Sequence, residues 1–184
     1  MPFNQPKATQ AAARLLKSRG GRMSYMKLIK LLYLADREAL ARWGRSITTD
    51  AYVAMPHGPV LSQILDLINE QPDPDAPESI WSRYISEPDH YEVSLKQADV
   101  PGDLLSEAED ELLDEIFAKF GHLTRWQIRD FAHTLPEWHD PQGGAVPITV
   151  ADILKAQHKT PEEIRAVESD LSDLAQIDSF FAVR

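Results

Sequence analysis

Residues 24–43 carry apolar side chains over so much of their helical surface that this segment must lie inside the folded chain. Ser24 suits the N-cap of a helix and Gly44 suits its end. The apolar positions cover a wider arc than the single stripe of a surface helix. They are Tyr25, Leu28, Ile29, Leu31, Leu32, Ala35, Ala39, Leu40 and Trp43. The sequence therefore predicts a central core helix with other elements packed around it.

Further patterns predict the elements that surround this helix. Helical periodicity and capping residues mark the segments 5–18, 59–69, 106–120, 124–134, 149–158 and 160–176. The third helix would begin at Pro59, whose fixed φ suits a first helical turn. Short apolar runs at 51–55, 84–86 and 91–95 predict a small antiparallel sheet, with the last two runs forming a hairpin. Proline, glycine and acidic residues predict loops at 71–77 and 136–147. The predicted fold class is mainly α, a compact helical domain with a small antiparallel β element.

The length and composition favour one self-sufficient domain. A chain of 184 residues buries roughly 70% of the surface that its unfolded form exposes, so it needs neither disulfide nor metal. We assign 1–158 to the domain, including the basic N-terminal helix, and 159–184 to an acidic helix and tail packed on it. The absence of cysteine excludes a thiolate nucleophile. No signal-peptide pattern and no long apolar window is present, which predicts a cytoplasmic protein without a membrane contact.

The net charge of −10 is unevenly distributed. Residues 1–45 carry ten Lys and Arg and two acids (10 − 2 = +8), whereas residues 46–184 carry nine Lys and Arg and 27 acids (9 − 27 = −18). One interpretation is that the basic start packs against the acidic body. The other is that it offers a surface to a partner protein or to nucleic acid. The acidity of the body argues against nucleic acid.

Asp36 falls within the apolar arc of the central helix. A buried carboxylate is costly unless it is paired or hydrogen-bonded. We therefore expect a structural ion pair or hydrogen-bond network around Asp36, with Arg, His or backbone NH groups as partners, rather than a catalytic acid.

Five residues are candidates for binding a partner. Lys27, Lys30 and Arg37 lie on the polar face of the central helix, which predicts either a solvated face or a charged rim that contacts an acidic patch. Met55 and His57 lie at a turn bounded by Pro and Gly, where side chains that anchor a partner would be accessible.

His133, His139 and Asp140 raise the question of a metal site. The two histidines are six positions apart and Pro136 lies between them, so they cannot share one helical face as paired zinc ligands do. We expect no metal and no cofactor, and we expect His133 and Trp138 to anchor the following loop as buried polar groups. No catalytic motif is present. An enzyme built on Asp36, His57 and His133 therefore stays only a rival interpretation.

Four segments in fixed order resemble the Panacea domain, the SocA-like antitoxin family that includes many phage-associated proteins. They are the residues 27–35, the strand that leads into His57-Gly58-Pro59-Val60, the residues 105–124, and the residues 130–134 with Trp138 beyond them. The resemblance covers roughly residues 24–158.

This resemblance implies a helical domain with a small β element, and an antitoxin that neutralises a toxin encoded beside it by direct protein binding. The SocA type resembles a delivery factor that hands its toxin to Clp protease machinery, which implies a proteolytic adaptor as an additional role. Toxin identity varies within the family, so the resemblance implies a cognate toxin without naming it. A nucleic-acid-binding regulator that uses the basic N-terminal segment is the alternative.

Overall fold

The computed structural model describes residues 2–70 and 78–182, so the loop predicted at 71–77 lies outside the described part. Helix is the dominant structure there, with two small antiparallel sheets, and the predicted fold class is confirmed. The helices are α1 (Gln5–Ser18), α2 (Tyr25–Trp43), α3 (Ser62–Asn69), α4 (Ile80–Tyr84), α5 (Glu107–Phe120), α6 (Arg125–Ala132), α7 (Val150–Ala156) and α8 (Pro161–Ala182). The strands are β1 (Arg22–Ser24), β2 (Tyr52–Met55), β3 (Gly58–Leu61), β4 (Glu92–Ser94) and β5 (Val146–Ile148). No helix within these residues is long and apolar enough to cross a membrane.

Helix α2 lies at the centre, as its sequence predicted. It packs against α1, α5, α6 and α7 and against the strands β1 and β3. Leu28, Leu31 and Leu32 are completely buried. The helix ends at Gly44, whose φ of 68° lies in the left-handed region that glycine adopts without strain.

The three-stranded sheet has the order β3–β2–β5, and its register corrects the predicted start of the third helix. Met55 pairs with Gly58, so Pro56 and His57 alone form the turn, and Pro59 lies in a strand rather than in a first helical turn. Helix α3 begins at Ser62 because the buried carboxylate of Asp50 accepts hydrogen bonds from the next two backbone NH groups, at 2.9 Å each. A helix that is capped from a distant segment does not need its own capping residue.

The predicted hairpin at 84–86 and 91–95 forms in part, as a short antiparallel pairing of the two segments. Strand β4 pairs with β1, and an isolated bridge joins Ile85 to Leu95. Backbone hydrogen bonds from Ser86 to Ser94 and from Lys96 to Tyr84 flank that bridge, at 2.8 and 2.9 Å. The residues before that bridge form helix α4, which the sequence pattern did not predict and which buries Trp81. The short apolar runs therefore do not form one sheet. The third strand of the larger sheet is instead β5, which lies at the end of the loop predicted at 136–147.

The basic helix α1 packs on the acidic helix α5 through ion pairs. Lys7 lies 2.7 Å from Glu109, and Arg14 lies 2.5 Å from Asp114. The Arg14–Asp114 pair is exposed, and such pairs contribute only about 0–1 kcal/mol, whereas the Glu109 side chain is buried. These pairs orient α1 on α5. They also show that basic residues of the N-terminal segment pair with acids of the same chain.

Helix α8 joins the body through its first turns, where Ile164 and Val167 pack against the core. Val167 fills the space beside Gly44, with a methyl carbon 3.1 Å from the position that a Cβ at residue 44 would take. Leu174 and Ile177, further along the helix, are exposed.

Replacing Leu32 by Ala tests the central position of α2. Leu32 is completely buried, so its truncation should lower the free energy of unfolding by ~2–5 kcal/mol through the cavity that it leaves. Chemical denaturation measures this change. Leu174→Ala, the same substitution at an exposed leucine, should have little effect, and equal stabilities of the two variants would contradict a core position for Leu32.

Candidate functional site

The turn between β2 and β3 requires a glycine at position 58 for two reasons. Gly58 has a φ of +93°, in the region that side-chain-bearing residues rarely adopt. A Cβ at this position would also lie 3.1 Å from the Nζ of Lys30 and 3.2 Å from the Cδ2 of His133. The hairpin can therefore approach α2 and α6 this closely only because residue 58 has no side chain.

Lys30 fixes the strand that follows this turn. Its side chain is buried, and its ammonium donates a 2.5 Å hydrogen bond to the backbone carbonyl of Pro59. Burial lowers the pKa of Lys30 to about 7, because the charged form loses its hydration. Among residues 2–70 and 78–182, no carboxylate forms an ion pair with it.

His133 and Trp138 hold the other end of the hairpin. Their rings are stacked, with centroids 4.1 Å apart and planes 10° apart. The indole Nε1 of Trp138 donates a 3.1 Å hydrogen bond to the carbonyl of Met55. Burial lowers the pKa of His133, and the charges of Arg129 and Lys30 lower it further. The loop after α6 is thus tied to the last residue of β2. Both side chains are half-buried, however, and not buried as expected.

An open cleft of about 660 Å³ lies beside this hairpin. It is bounded by the first turns of α2, the β2–β3 turn, α3 and the segment 143–145. Most of its lining is apolar, chiefly Tyr25, Met26, Ile29, Met55, Val60 and Leu65. Lys30 and His57 also line the cleft, and His57 is exposed at the turn. The structure therefore brings together three of the five predicted partner-binding residues, Lys30, Met55 and His57.

The exposed basic face predicted for α2 does not form. Lys27 and Lys30 are 5% and 1% exposed. The ammonium of Lys27 donates a 2.6 Å hydrogen bond to the carbonyl of Gly121, just after α5, where a cation is favourable. Arg37 lies 2.6 Å from the buried carboxylate of Glu137. The helical pattern showed these residues to be polar, but it could not show that each one reaches an acceptor inside the protein.

Asp36 is completely buried in a hydrogen-bond network. One carboxylate oxygen accepts from the backbone NH groups of Ile47 and Thr48, at 2.9 and 3.0 Å. The other accepts from the hydroxyls of Thr48 and Tyr52, at 2.5 and 3.3 Å. Burial raises the pKa of Asp36 to about 6, against the opposing effect of these hydrogen bonds. The network fixes the chain between α2 and β2, and none of these groups lies in the cleft.

Two carboxylates that the sequence pattern did not single out organise the same region. Glu137 accepts hydrogen bonds from the hydroxyl of Tyr33, at 3.1 Å, and from Arg37. Asp50 caps α3. Both lie in irregular segments, where no periodicity distinguishes a buried residue from an exposed one. For Asp50 the only available indication was its position shortly before a short apolar run.

The histidines considered for metal binding are not part of a metal cluster in the described part of the chain. No group of three His, Asp or Glu side chains able to hold an ion occurs there. His133 instead stacks on Trp138, and His139 lines a separate cavity with Asp140 and His158.

Together these features define a mainly helical domain in which a firmly held turn lies beside an apolar cleft. The family model of the SocA-like antitoxin, Panacea domain, matches residues 28–139. The chain therefore belongs to this family, which confirms the resemblance seen in the sequence. Membership suggests an antitoxin role. Searches among curated proteins and among solved structures gave no match.

The four segments that carried the resemblance meet around the hairpin. Lys27 and Lys30 come from the first segment, and the second segment forms the turn and β3. The third supplies the carbonyl of Gly121 that Lys27 contacts. The fourth supplies the stacked rings of His133 and Trp138. The segments that carried the resemblance are thus the ones that position this hairpin against α2.

Removal of the Asp36 carboxylate should destabilise the fold. Asp36→Ala leaves two buried backbone NH groups without an acceptor, so we expect the free energy of unfolding to fall by roughly 3 kcal/mol or more. Urea denaturation measures the loss. Asp152→Ala, which removes a capping carboxylate from an exposed site at α7, is the control and should cost less. Equal costs would argue against a central role for the Asp36 network.

The buried ammonium of Lys30 should make stability depend on pH. Its pKa is 10.5 in an ordinary lysine and about 7 in the folded protein. Between these values the unfolded chain binds more protons, so the free energy of unfolding rises with pH. From pH 7 to pH 9 we expect a gain of about 2 kcal/mol from this group.

Denaturation at several pH values measures this gain. Lys30→Met should remove it, because no group at position 30 then titrates. Lys155→Met, at an exposed lysine, should retain the wild-type rise. A rise that persists unchanged in Lys30→Met would show that the ammonium is not the source.

Proposed function

We propose that this protein is an antitoxin that neutralises a cognate toxin by direct binding, and that the β2–β3 turn and the adjacent cleft contact the toxin. The observation that carries this proposal is the apolar cleft of about 660 Å³ beside the turn, within a chain that belongs to an antitoxin family. Apolar clefts with few polar groups are typical binding sites for partner side chains.

The way the turn is held supports this assignment. Met55, Gly58 and Pro59 are fixed from below by Trp138, His133 and Lys30, while Pro56 and His57 are exposed. A turn that is already ordered loses little conformational freedom on binding, so more of the contact energy contributes to affinity.

The basic residues of the N-terminal segment give less support to a nucleic-acid-binding regulator. Lys7 and Arg14 pair with acids of α5, and Lys27 and Lys30 are buried. Nucleic-acid affinity depends on accessible cations that neutralise phosphates. The contacts of these basic residues therefore support an antitoxin role better than a nucleic-acid-binding role.

Co-expression with the toxin-like open reading frame encoded beside this chain tests the proposed function. The chain should restore growth that the toxin arrests, and the two proteins should purify as a complex. Toxin arrest that persists despite a soluble, folded chain would contradict the proposal. The toxin half-life in cells with and without Clp protease then separates simple sequestration in the cytoplasm from delivery to proteolysis.

The turn can be tested by binding kinetics with the purified toxin. Met55→Ala combined with His57→Ala should speed dissociation by roughly ten- to a hundredfold, because side chains at the centre of an interface mainly determine the off-rate. Leu104→Ala combined with His122→Ala alters a similar exposed pair away from the cleft and should leave the off-rate unchanged. Wild-type rates in both double variants would place the toxin contact elsewhere.

A further inference from the structure

Lys30, which lines the cleft, forms no ion pair with any described residue. Lys30 is 1% exposed, and its ammonium donates a hydrogen bond to the Pro59 carbonyl at 2.5 Å. An ammonium has three donors. Among residues 2–70 and 78–182, the lysines that form ion pairs are Lys7 and Lys159, and Lys30 forms none. A buried cation without an anion is unfavourable, so the site gains if a ligand supplies one.

Among the described residues, the groups around this ammonium supply no unpaired carboxylate. His57 lines the same cleft, and His133 lies across the hairpin, close enough for the charges of Lys30 and Arg129 to lower its pKa. Asp130 is the one acid among the groups that perturb His133, and it pairs with Arg129 at 2.5 Å. The residues that line the cleft include Lys30 and no carboxylate, so the cleft has one basic spot, at Lys30, in a chain whose net charge is −10.

The remaining lining restricts what can bring the anion. Met26, Ile29, Met55, Val60 and Leu65 form apolar walls around the basic spot. A ligand must place an apolar group and an anion within a few bonds of each other. The last residue of a polypeptide does this, since its α-carboxylate and its side chain share one carbon atom. A glutamate or aspartate within a chain carries its carboxylate at the end of its own short side chain and fills the apolar walls less well.

We propose that the cleft binds the C-terminal residue of a partner protein, with an apolar side chain between α2, α3 and the hairpin and the terminal carboxylate at the Lys30 ammonium. This inference deepens the proposed function, because it states which part of the toxin the antitoxin recognises. The carboxylate would supply the missing counter-ion, and the apolar walls would exclude water from the ion pair and so strengthen it.

Short peptides test this without the toxin. We would titrate the ¹⁵N-labelled full chain with a pair of peptides that end in leucine, one with a free carboxylate and one with a terminal amide, and follow backbone amide shifts. The free acid should bind about tenfold more tightly than the amide, which corresponds to one charge-assisted contact. The shifts should concentrate at 25–30 and 55–60. A third peptide that ends in serine with a free carboxylate should bind more weakly than the leucine acid.

Two lysine variants form a matched pair. Lys30→Met should abolish the preference for the free acid, because the cation is gone. Lys27→Met removes another buried lysine of α2, one that contacts Gly121 and does not line the cleft, and should keep the preference. Leu65→Glu provides an independent check that leaves Lys30 in place: an added carboxylate at the cleft wall should weaken the free acid more than the amide.

Equal binding of acid and amide, no shifts with either peptide, or a preference that persists in Lys30→Met would overturn the inference. These outcomes are distinct from failure of the proposed function. A chain that rescues growth but shows no carboxylate preference is an antitoxin that does not read the toxin's C-terminus. A chain that prefers the free acid but never rescues growth binds C-termini without being an antitoxin.

Discussion

The buried part of α2 cannot leave its polar groups unpaired, and the helix meets this constraint through four separate contacts. Lys27 reaches the carbonyl after α5, and Lys30 reaches the carbonyl of Pro59 in β3. Arg37 reaches Glu137, and Asp36 accepts hydrogen bonds from the chain that leads to β2. Each unmade contact would leave a buried charge or polar group, at a cost of several kcal/mol. The surrounding segments are therefore held in place by polar groups of the helix that they cover.

The hairpin follows from this arrangement. It must bring the carbonyl of Pro59 to Lys30 while its other strand accepts the hydrogen bond of Trp138. A Cβ would be crowded between the lysine and His133 and strained at this positive φ, and Gly58 avoids both costs. The turn itself is exposed to solvent, since Pro56 and His57 take no part in these contacts. The same interactions that complete the core thus present a rigid turn at the surface.

The sequence predicted what depends on local pattern and missed what depends on distant partners. The central helix was predictable because its apolar arc is wide, and most of the other helices because their caps and periodicity are local. The burial of Lys27 and Lys30 was not predictable, because their acceptors lie 94 and 29 positions away. Likewise the pattern predicts a helix from Pro59, because proline suits both a first helical turn and an edge strand. The residue that decides where α3 begins, Asp50, lies before β2. Of the candidate site, the turn residues Met55 and His57 could be predicted and the cleft beside them could not.

The distribution of charge gives the cleft its contrast with the rest of the surface. Much of the positive charge in residues 1–45 is used internally, in pairs with α5 or within the core. The segment 46–184 carries nine Lys and Arg against 27 acids, so the exterior is mainly acidic. An acidic exterior attracts a basic partner over long distances and affects its rate of association. The cation in the cleft acts only at contact range, where desolvation makes it selective. A partner that is basic overall but ends in an apolar residue would satisfy both conditions, whereas an acidic partner would be repelled before its terminus could reach Lys30.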